Sequence, residues 1–356
     1  MRKICVVPII LFLLAIWLPA VQMNFGFYKE FDDTENRELA PPPQWGSSRF
    51  SKLVEQVDAY IGDHFGFRPD LIRWNSFLRV NLLGASPIRS VIMGGDAWLF
   101  YCSEALEDGN TFTDYMGMIP LPDCELEKLK LRLEENRRRF SEKGIYYVVA
   151  IAPNKNTIYE EFLPERIRRN KSRTRLDQFV EYMAQNSDLE ILDHRGVLEA
   201  ARTRLPVYWE TDSHWNTYGA YVAYREIFGK ISRRFPDAAP MAIAGSVAVE
   251  RTARGGDLAQ MLFLTDVLPE NNHTVFELDA APSARIRKLL FRHDSFGDNL
   301  YPYLTKHFEK LVNVAPFAPF RFDEIFRDPP DIVLHLFTER YLTQAIHDDF
   351  FYREGS

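Results

Sequence analysis

The chain has few cysteines, no excess of positive charge and no long apolar run after its first 25 residues. Three of its 356 residues are cysteine and none forms a C-x-x-C pair, a pattern that argues against a structural zinc site. Lysine and arginine number 43 against 50 aspartate and glutamate residues, so the formal net charge is −7. This balance excludes a dominantly basic protein that binds nucleic acid through charge.

The composition is that of a packed globular protein. Apolar residues make up 46% of the chain, aromatic residues 14% and charged residues 26%, which excludes a disordered or collagen-like chain. The length predicts about one or two domains of ordinary size, enough to bury a sizeable core.

The N-terminus carries the one candidate membrane segment. Two basic residues, Arg2 and Lys3, precede an apolar run from Ile4 to Val21, which is at the lower edge of the length of a spanning helix. The charge order places the N-terminus in the cytoplasm and the rest of the chain outside it. A cleaved signal peptide is the alternative, but Leu18 stands where cleavage favours a small residue, so residues 1–25 are predicted to be an uncleaved anchor.

Residues 26–48 are predicted to form an extended tether, since they end in the proline run Pro41 to Pro43. The remaining chain, residues 49–356, is predicted to be one domain. Within it, residues 241–280 are predicted to be a loop-rich insertion.

Export would place two cysteines in an oxidising compartment. Cys102 and Cys124 are candidates for one disulfide, and two buried free thiols are the alternative.

Helical and strand patterns alternate along the domain. Residues 50–83 form two helical pieces separated by the breakers at 62–69, and a hairpin is predicted around Gly94 and Gly95. Further helices are predicted at 125–143, 172–186, 217–234 and 298–309, with strands at 145–151, 189–192, 288–291, 311–314 and 332–337. Helices alternating with short apolar strands predict an α/β/α sandwich around a mainly parallel sheet.

Polar residues that follow strands in such a sheet are the first candidates for an active site. Ser295 follows the strand at 288–291 and precedes a helix, where backbone N–H groups can stabilise an oxyanion. A serine nucleophile needs a base, and His214 is the candidate, with Asp212 to orient its imidazole.

Two other interpretations of these residues are open. In the first, Ser295 caps its own helix, and Asp212 or Ser213 caps the helix that begins near Thr217. A metal site is the rival chemistry, with Asp212, His214, His293 and Asp294 as ligands, but their spacing lacks the helical i, i+4 pattern of common zinc motifs.

These segments together resemble a known family. The runs 212–215, with Gly219-Ala220, and 294–297 resemble the SGNH-hydrolase-like domain of the alginate O-acetyltransferases AlgJ and AlgX, in which an Asp-x-His pair precedes the serine. Supporting matches lie in the runs 35–41, 63–68, 94–100, 153–164, 256–258 and 339–340. The resemblance therefore extends over about residues 30–345.

The resemblance implies a three-layer, flavodoxin-like α/β/α fold with Ser295 as nucleophile, His214 as general base and acid, and Asp212 as its partner. The Ser295 N–H and Tyr301 are candidate oxyanion donors, and Asn154 is a candidate oxyanion or substrate contact. Tyr301 is otherwise an amphipathic helix residue, and Asn154 otherwise shapes a loop.

The expected function is O-acetyl transfer to an exported polysaccharide, alginate-like or another, through an acetyl-serine and without metal or other cofactor. A membrane-bound O-acyltransferase is the implied partner that supplies acetyl groups. The expected location is the periplasmic face of the bacterial inner membrane, or the soluble periplasm after signal cleavage. A carbohydrate O-acetyl esterase and a non-catalytic component of a modification or export complex are the alternatives.

Overall fold

A computed structural model describes residues 6–29, 39–44, 50–282 and 285–347. The α-helices of this part of the chain are α1 Val6–Phe25, α2 Phe50–His64, α3 Arg68–Leu83, α4 Thr111–Tyr115, α5 Asp123–Ser141, α6 Lys155–Ile158, α7 Glu165–Arg168, α8 Arg175–Asn186, α9 Arg195–Arg202, α10 Thr217–Ile231, α11 Asp257–Met261, α12 Tyr301–His307, α13 Phe322–Ile325 and α14 Leu342–His347. The strands are β1 Val91–Met93, β2 Leu99–Tyr101, β3 Tyr146–Ala152, β4 Ile191–Asp193, β5 Ile243–Glu250, β6 His273–Leu278, β7 Ile286–Arg292, β8 Phe308–Val314 and β9 Ile332–Thr338.

Five strands form one parallel sheet in the order β4-β3-β9-β7-β8. β3 pairs with β9 along its whole length, from Tyr146 opposite Ile332 to Ala152 opposite Thr338. Two smaller sheets, β1-β2 and β5-β6, are antiparallel. The predicted mainly parallel sheet is confirmed, and its carboxyl edge is formed by residues that follow β3, β7 and β9.

Each central strand is buried on both faces, which explains why it reads as an unbroken apolar run. In β3, Val148 and Ala150 point to one hydrophobic cluster, which contains α10 residues such as Tyr224. Val149 and the neighbouring odd-numbered residues point to a second cluster with Leu133 of α5 and residues of α8 and α14. Helices therefore cover both faces of the sheet, which confirms the three-layer α/β/α fold.

The segment at 241–280 contains more regular structure than its sequence suggests. β5 and β6 pair with a register shift between Ala244 and Ala248, and Gly245 has a positive φ of 76°. An irregular strand of this kind gives a weak two-residue periodicity, so the pattern predicted loops. The limits of the insertion remain a prediction.

The chain divides into two compact units, Met1–Pro87 with Gln260–Thr265, and Ile88–Ala259 with Asp266–Ser356. In the first unit, α1 includes a segment, Val7–Phe25, that is long and apolar enough to cross a membrane. Gly66, at the α2–α3 junction, packs so closely on α1 that an added Cβ would lie 2.2 Å from the carbonyl oxygen of Pro19.

The predicted tether at 26–48 is described only at residues 26–29 and 39–44, and the rest lies outside the described residues. The described part includes a contact with α2, because the Ala40 N–H donates to Asp63 at 2.8 Å. The division into anchor, tether and one domain stays a prediction.

Cys102 and Cys124 are both free thiols, which corrects the candidate disulfide between them and agrees with the free-thiol alternative except in burial. The Cys102 thiol follows β2 and donates to Glu104 at 3.5 Å. Cys124 lies in the first turn of α5 and is exposed rather than buried. The two thiols thus belong to separate elements that do not bring them together.

Candidate active site

Three strands of the parallel sheet deliver polar residues to its carboxyl edge. β3 is followed by Asn154 and Lys155, β9 by Glu339 and Arg340, and β7 by a turn that carries Ser295. Parallel strands end at the same edge, so residues distant in sequence meet there.

The loop before α10 carries Asp212 and His214. Its ends are closed by an antiparallel bridge between Tyr208 and Trp215. Asn216 caps α10, because its side chain accepts from the Gly219 N–H at 2.9 Å. The interpretation of Asp212 or Ser213 as the helix cap is therefore wrong, and both side chains are available for other contacts.

Ser295 is the first residue of a 3₁₀ helix, Ser295–Leu300, that leads into α12. The side chain of the preceding residue, Asp294, caps this helix by accepting from the Phe296 N–H at 3.0 Å. The other Asp294 oxygen accepts from both the N–H and the hydroxyl of Thr338 at 2.7 Å, which ties the turn to the end of β9. Ser295 is thus not the cap, and its side chain is exposed.

The structure brings the three predicted side chains into one hydrogen-bonded chain. His214 Nε2 lies 2.8 Å from Ser295 Oγ, and His214 Nδ1 lies 2.7 Å from Asp212 Oδ1. The same Asp212 oxygen accepts from the His214 backbone N–H at 2.9 Å. With Asp212 as acceptor, Nδ1 carries the hydrogen, which leaves the Nε2 lone pair directed at the serine hydroxyl.

Opposing effects set the charge state of this pair. Burial lowers the pKa of His214, but the hydrogen bond and charge of Asp212, together with the charge of Asp257, outweigh it, and the pKa lies above its usual value. Burial raises the pKa of Asp212, yet the hydrogen bond from His214 prevails and holds it below the usual range. Asp212 is consequently an anion at neutral pH, as an orienting carboxylate must be.

Asp257 is a site residue that the sequence analysis did not assign. Its Oδ2 lies 3.5 Å from His214 Nδ1 and accepts from the Ser213 hydroxyl at 2.5 Å. Burial and the charge of Asp212 raise the pKa of Asp257. The signal was present in the run Gly256-Asp257-Leu258, but nothing in its spacing tied it to His214.

Asp212, His214 and Asp257 each offer one metal-ligand atom, and these atoms lie within 4.8 Å of one another. Two of the four ligands in the rival metal interpretation are engaged elsewhere. His293 Nδ1 is paired with the Asp294 carbonyl oxygen at 2.7 Å, and Asp294 caps its helix. A cation held by Asp212, His214 and Asp257 through Nδ1 would displace the hydrogen that His214 donates to Asp212.

The two further candidates have contacts of their own. The Tyr301 hydroxyl lies 3.4 Å from His293 Nε2. Asn154 is 3% exposed, its N–H donates to Glu339 at 2.8 Å, and its side-chain oxygen accepts from Arg340 at 3.4 Å. Neither contact joins these residues to Ser295, so their assignment as oxyanion donors stays a prediction.

Aromatic rings can stack on a sugar, and the tryptophans Trp98, Trp209 and Trp215 differ in exposure. Trp215 is fully buried and donates to the Phe296 carbonyl at 3.0 Å, and Trp98 is 5% exposed and stacks on Phe162. Trp209 is half-buried and stacks on His273. Of the three, Trp209 has the ring that is most available to a ligand.

A parallel α/β/α sheet with an exposed serine, a histidine and an aspartate near its carboxyl edge has the groups that a serine-dependent hydrolase or acyltransferase uses. Residues 91–294, more than half of the chain, match the family described as the SGNH hydrolase-like domain of the acetyltransferase AlgX. The chain belongs to this family.

Two relatives and one solved structure that resemble this chain are named as alginate O-acetylases or as an O-acetyltransferase domain. A probable alginate O-acetylase AlgJ of Pseudomonas syringae pv. tomato is 28% identical over 175 residues, which cover 48% of this chain and 41% of that protein. The protein of the same name from Pseudomonas aeruginosa is 25% identical over 303 aligned residues, 72% of this chain and 71% of that protein. The O-acetyltransferase domain of Pseudomonas putida AlgJ is 23% identical, covers 71% of this chain and 92% of that chain, and has a TM-score of 0.46.

Proposed function

We propose that this protein transfers acetyl groups to hydroxyls of an exported polysaccharide through a covalent acetyl-serine on Ser295. The observation that carries the proposal is the chain of short hydrogen bonds from Asp212 through His214 to an exposed serine hydroxyl. Membership of a family described by an acetyltransferase supports acetyl as the group transferred. The name alginate O-acetylase, borne by two relatives, supports a polysaccharide acceptor.

In the first half-reaction, Ser295 Oγ attacks the carbonyl carbon of an acetyl donor while its proton passes to His214 Nε2. The bond from the acetyl carbon to the donor then breaks, and His214 returns the proton to the leaving group. In the second half-reaction a sugar hydroxyl attacks the acetyl-serine and gives its proton to Nε2. Ser295 leaves as an alcohol after taking that proton back, so the enzyme returns to its starting state.

The tetrahedral intermediates need donors for their negative oxygen. The Ser295 N–H makes no backbone hydrogen bond within the described residues, so it is the first donor in this proposal. Asn154, which lies beside Arg340, and Tyr301, which lies on α12, are proposed as additional donors to this oxygen.

The proposed setting is the outer face of the bacterial inner membrane. α1 is compatible with a signal-anchor, and it would hold the catalytic unit near a membrane-bound O-acyltransferase that supplies acetyl groups. This donor partner and the periplasmic location rest on the family resemblance and the polarity of the N-terminus.

The test of the proposal is an acceptor experiment. Purified full-length protein is incubated with an acetyl ester, with and without oligosaccharides, and products are identified by mass spectrometry. We expect acetylated sugar from the wild type and none from Ser295→Ala, which should fold normally because the side chain is exposed. Hydrolysis that ignores the acceptor would assign an esterase instead, and normal polysaccharide acetylation by Ser295→Ala in cells would assign a non-catalytic component.

A further inference from the structure

The loop that carries Asp212 has no regular secondary structure over residues 209–212, yet its backbone is thoroughly hydrogen-bonded. All four carbonyl oxygens accept hydrogen bonds, and those of Trp209, Glu210 and Asp212 accept from one group. That group is the ammonium of Lys155, at 3.1, 3.0 and 2.6 Å respectively. An ammonium has three hydrogens, so these carbonyls use its full donor capacity.

A buried carboxylate holds the N–H side of the same loop. Glu270 is 3% exposed and accepts from the Glu210 N–H at 2.7 Å through one oxygen. Its other oxygen accepts from the N–H and the hydroxyl of Thr211 at 2.8 and 2.9 Å. The loop therefore lies between a cation on its carbonyls and an anion on its amides.

Lys155 and Glu270 are both buried, so a loss of their hydrogen bonds would be costly. Lys155 is 4% exposed, and its ammonium lies 5.4 and 5.3 Å from the ring centres of Trp98 and Phe100. Hydrogen bonds to charged groups are short and strong, and a buried carbonyl or ammonium without its partner is costly. Any shift of the loop would break several of these bonds at once, so the two charges fix its conformation.

We propose that Lys155 and Glu270 are positioning residues that hold Asp212 at hydrogen-bond distance from His214, an inference that rests on the proposed function. The connection is short: the Asp212 carbonyl is bound to Lys155, while the carboxylate of the same residue binds His214 Nδ1. A misplacement of about 1 Å in a catalytic group can cost about 10²-fold in rate. The hydrogen-bonded route from Lys155 to Ser295 runs through Asp212 and His214.

The test compares Lys155→Met and Glu270→Gln in the full chain with Lys288→Met. Lys288 is the matched control because it too is buried and donates to a carbonyl and a carboxylate, both of Asp328, but at the start of β7. We expect the first two variants to lower kcat about 10- to 100-fold and to move the pH midpoint of kcat/KM downward. The control should lose thermal stability but keep its kcat. The double variant with Lys155→Met and Glu270→Gln should lower kcat by less than the product of the two single effects.

A second measurement separates this proposal from the proposed function. The imidazole nitrogens of His214 are followed by nitrogen-15 NMR against pH in Ser295→Ala chains with and without Lys155→Met. Lys155→Met should lower the imidazole pKa and weaken the Nδ1 hydrogen-bond signal even if Ser295 proves not to be a nucleophile. An unchanged imidazole titration in a folded Lys155→Met protein, or an equal loss of kcat in Lys288→Met, would overturn the positioning role. If Lys155→Met does not fold, Glu270→Gln is judged by the same two readouts.

Discussion

At the scale of single residues, the proposed mechanism requires a neutral His214 to accept the serine proton. The rate of acylation therefore rises with pH through the pKa of His214, which lies above its usual value of 6.5. The rising limb is expected at a pH above that of an ordinary histidine.

Asp212→Asn tests this electrostatic arrangement. The change removes the charge that raises the pKa of His214, and an asparagine no longer fixes the imidazole tautomer. The kcat should therefore fall by about 10³- to 10⁴-fold. The residual activity should show a rising limb shifted to lower pH, read from kcat/KM against pH. A limb that moves upward, or a loss below tenfold, would show that Asp212 does not act on His214 in this way.

Glu339 links the carboxyl edge to pH-dependent stability. Its oxygen accepts from the Asn154 N–H and the Thr157 hydroxyl, and burial raises its pKa from 4.5 to about 7. Since the folded state binds the proton more tightly, this residue's contribution is fully present below pH 4.5 and is lost as the pH rises to about 7.

Glu339→Gln should therefore reduce the loss of stability as the pH rises. Above pH 7, its free energy of unfolding should gain on the order of 1–3 kcal/mol relative to that of the wild type. The free energy of unfolding from urea titrations between pH 5 and about pH 8 measures it. Glu165→Gln, at an exposed glutamate on α7, is the matched control for the loss of one carboxylate. A stability curve for Glu339→Gln that runs parallel to that of the wild type would contradict the assignment.

At the scale of elements, α11 is seated against the aspartate of the site through a glycine. An added Cβ on Gly256 would lie 2.3 Å from Asp212 Cβ and 2.7 Å from its Oδ2. The following residue, Asp257, donates its N–H to the same Oδ2 at 3.0 Å. No side chain fits at this position without moving Asp212 or the start of α11.

Gly256→Ala is expected to cut acetyl transfer at least tenfold, the cost of a displaced catalytic group. Gly229→Ala is the control, because Gly229 lies inside α10 with open space around it and alanine favours helices by about 1 kcal/mol. Activity and melting temperature are measured on both. Full activity in Gly256→Ala would show that Asp212 does not depend on this close contact.

The sequence predicts elements whose pattern is continuous and misses those defined by distant partners. The apolar run at 145–151 became β3 at Tyr146–Ala152, and the charged periodic run at 125–143 became α5 at Asp123–Ser141. The sequence did not predict β5 and β6, because their pairing is irregular. It did not predict the proposed roles of Lys155 and Glu270 either, since a lysine that binds three backbone carbonyls has no local sequence signature.

At the scale of the whole molecule, the N-terminal helix α1 is the segment that bears on where the protein is located. α1 is apolar on all sides, and 11% of its candidate span is buried within the protein. An apolar surface of this size is compatible with a lipid environment. The sequence favours an uncleaved anchor over a cleaved signal peptide.

The protein recovered from bacterial membranes is expected to retain its first residues, as read by intact mass and N-terminal sequencing. Replacing residues 1–25 with a cleavable secretion signal should move the protein to the soluble periplasmic fraction. A native chain that begins after Ala20 and fractionates as soluble would favour the signal-peptide alternative.

The whole account depends on one covalent intermediate. Full-length protein is mixed briefly with an acetyl donor, quenched in acid, digested and examined by mass spectrometry. The account predicts one acetyl group on the peptide that contains Ser295, more slowly formed in Asp212→Asn and absent in His214→Ala. An acetyl group on another residue, or turnover by the wild type and by Ser295→Ala at equal rates, would contradict it.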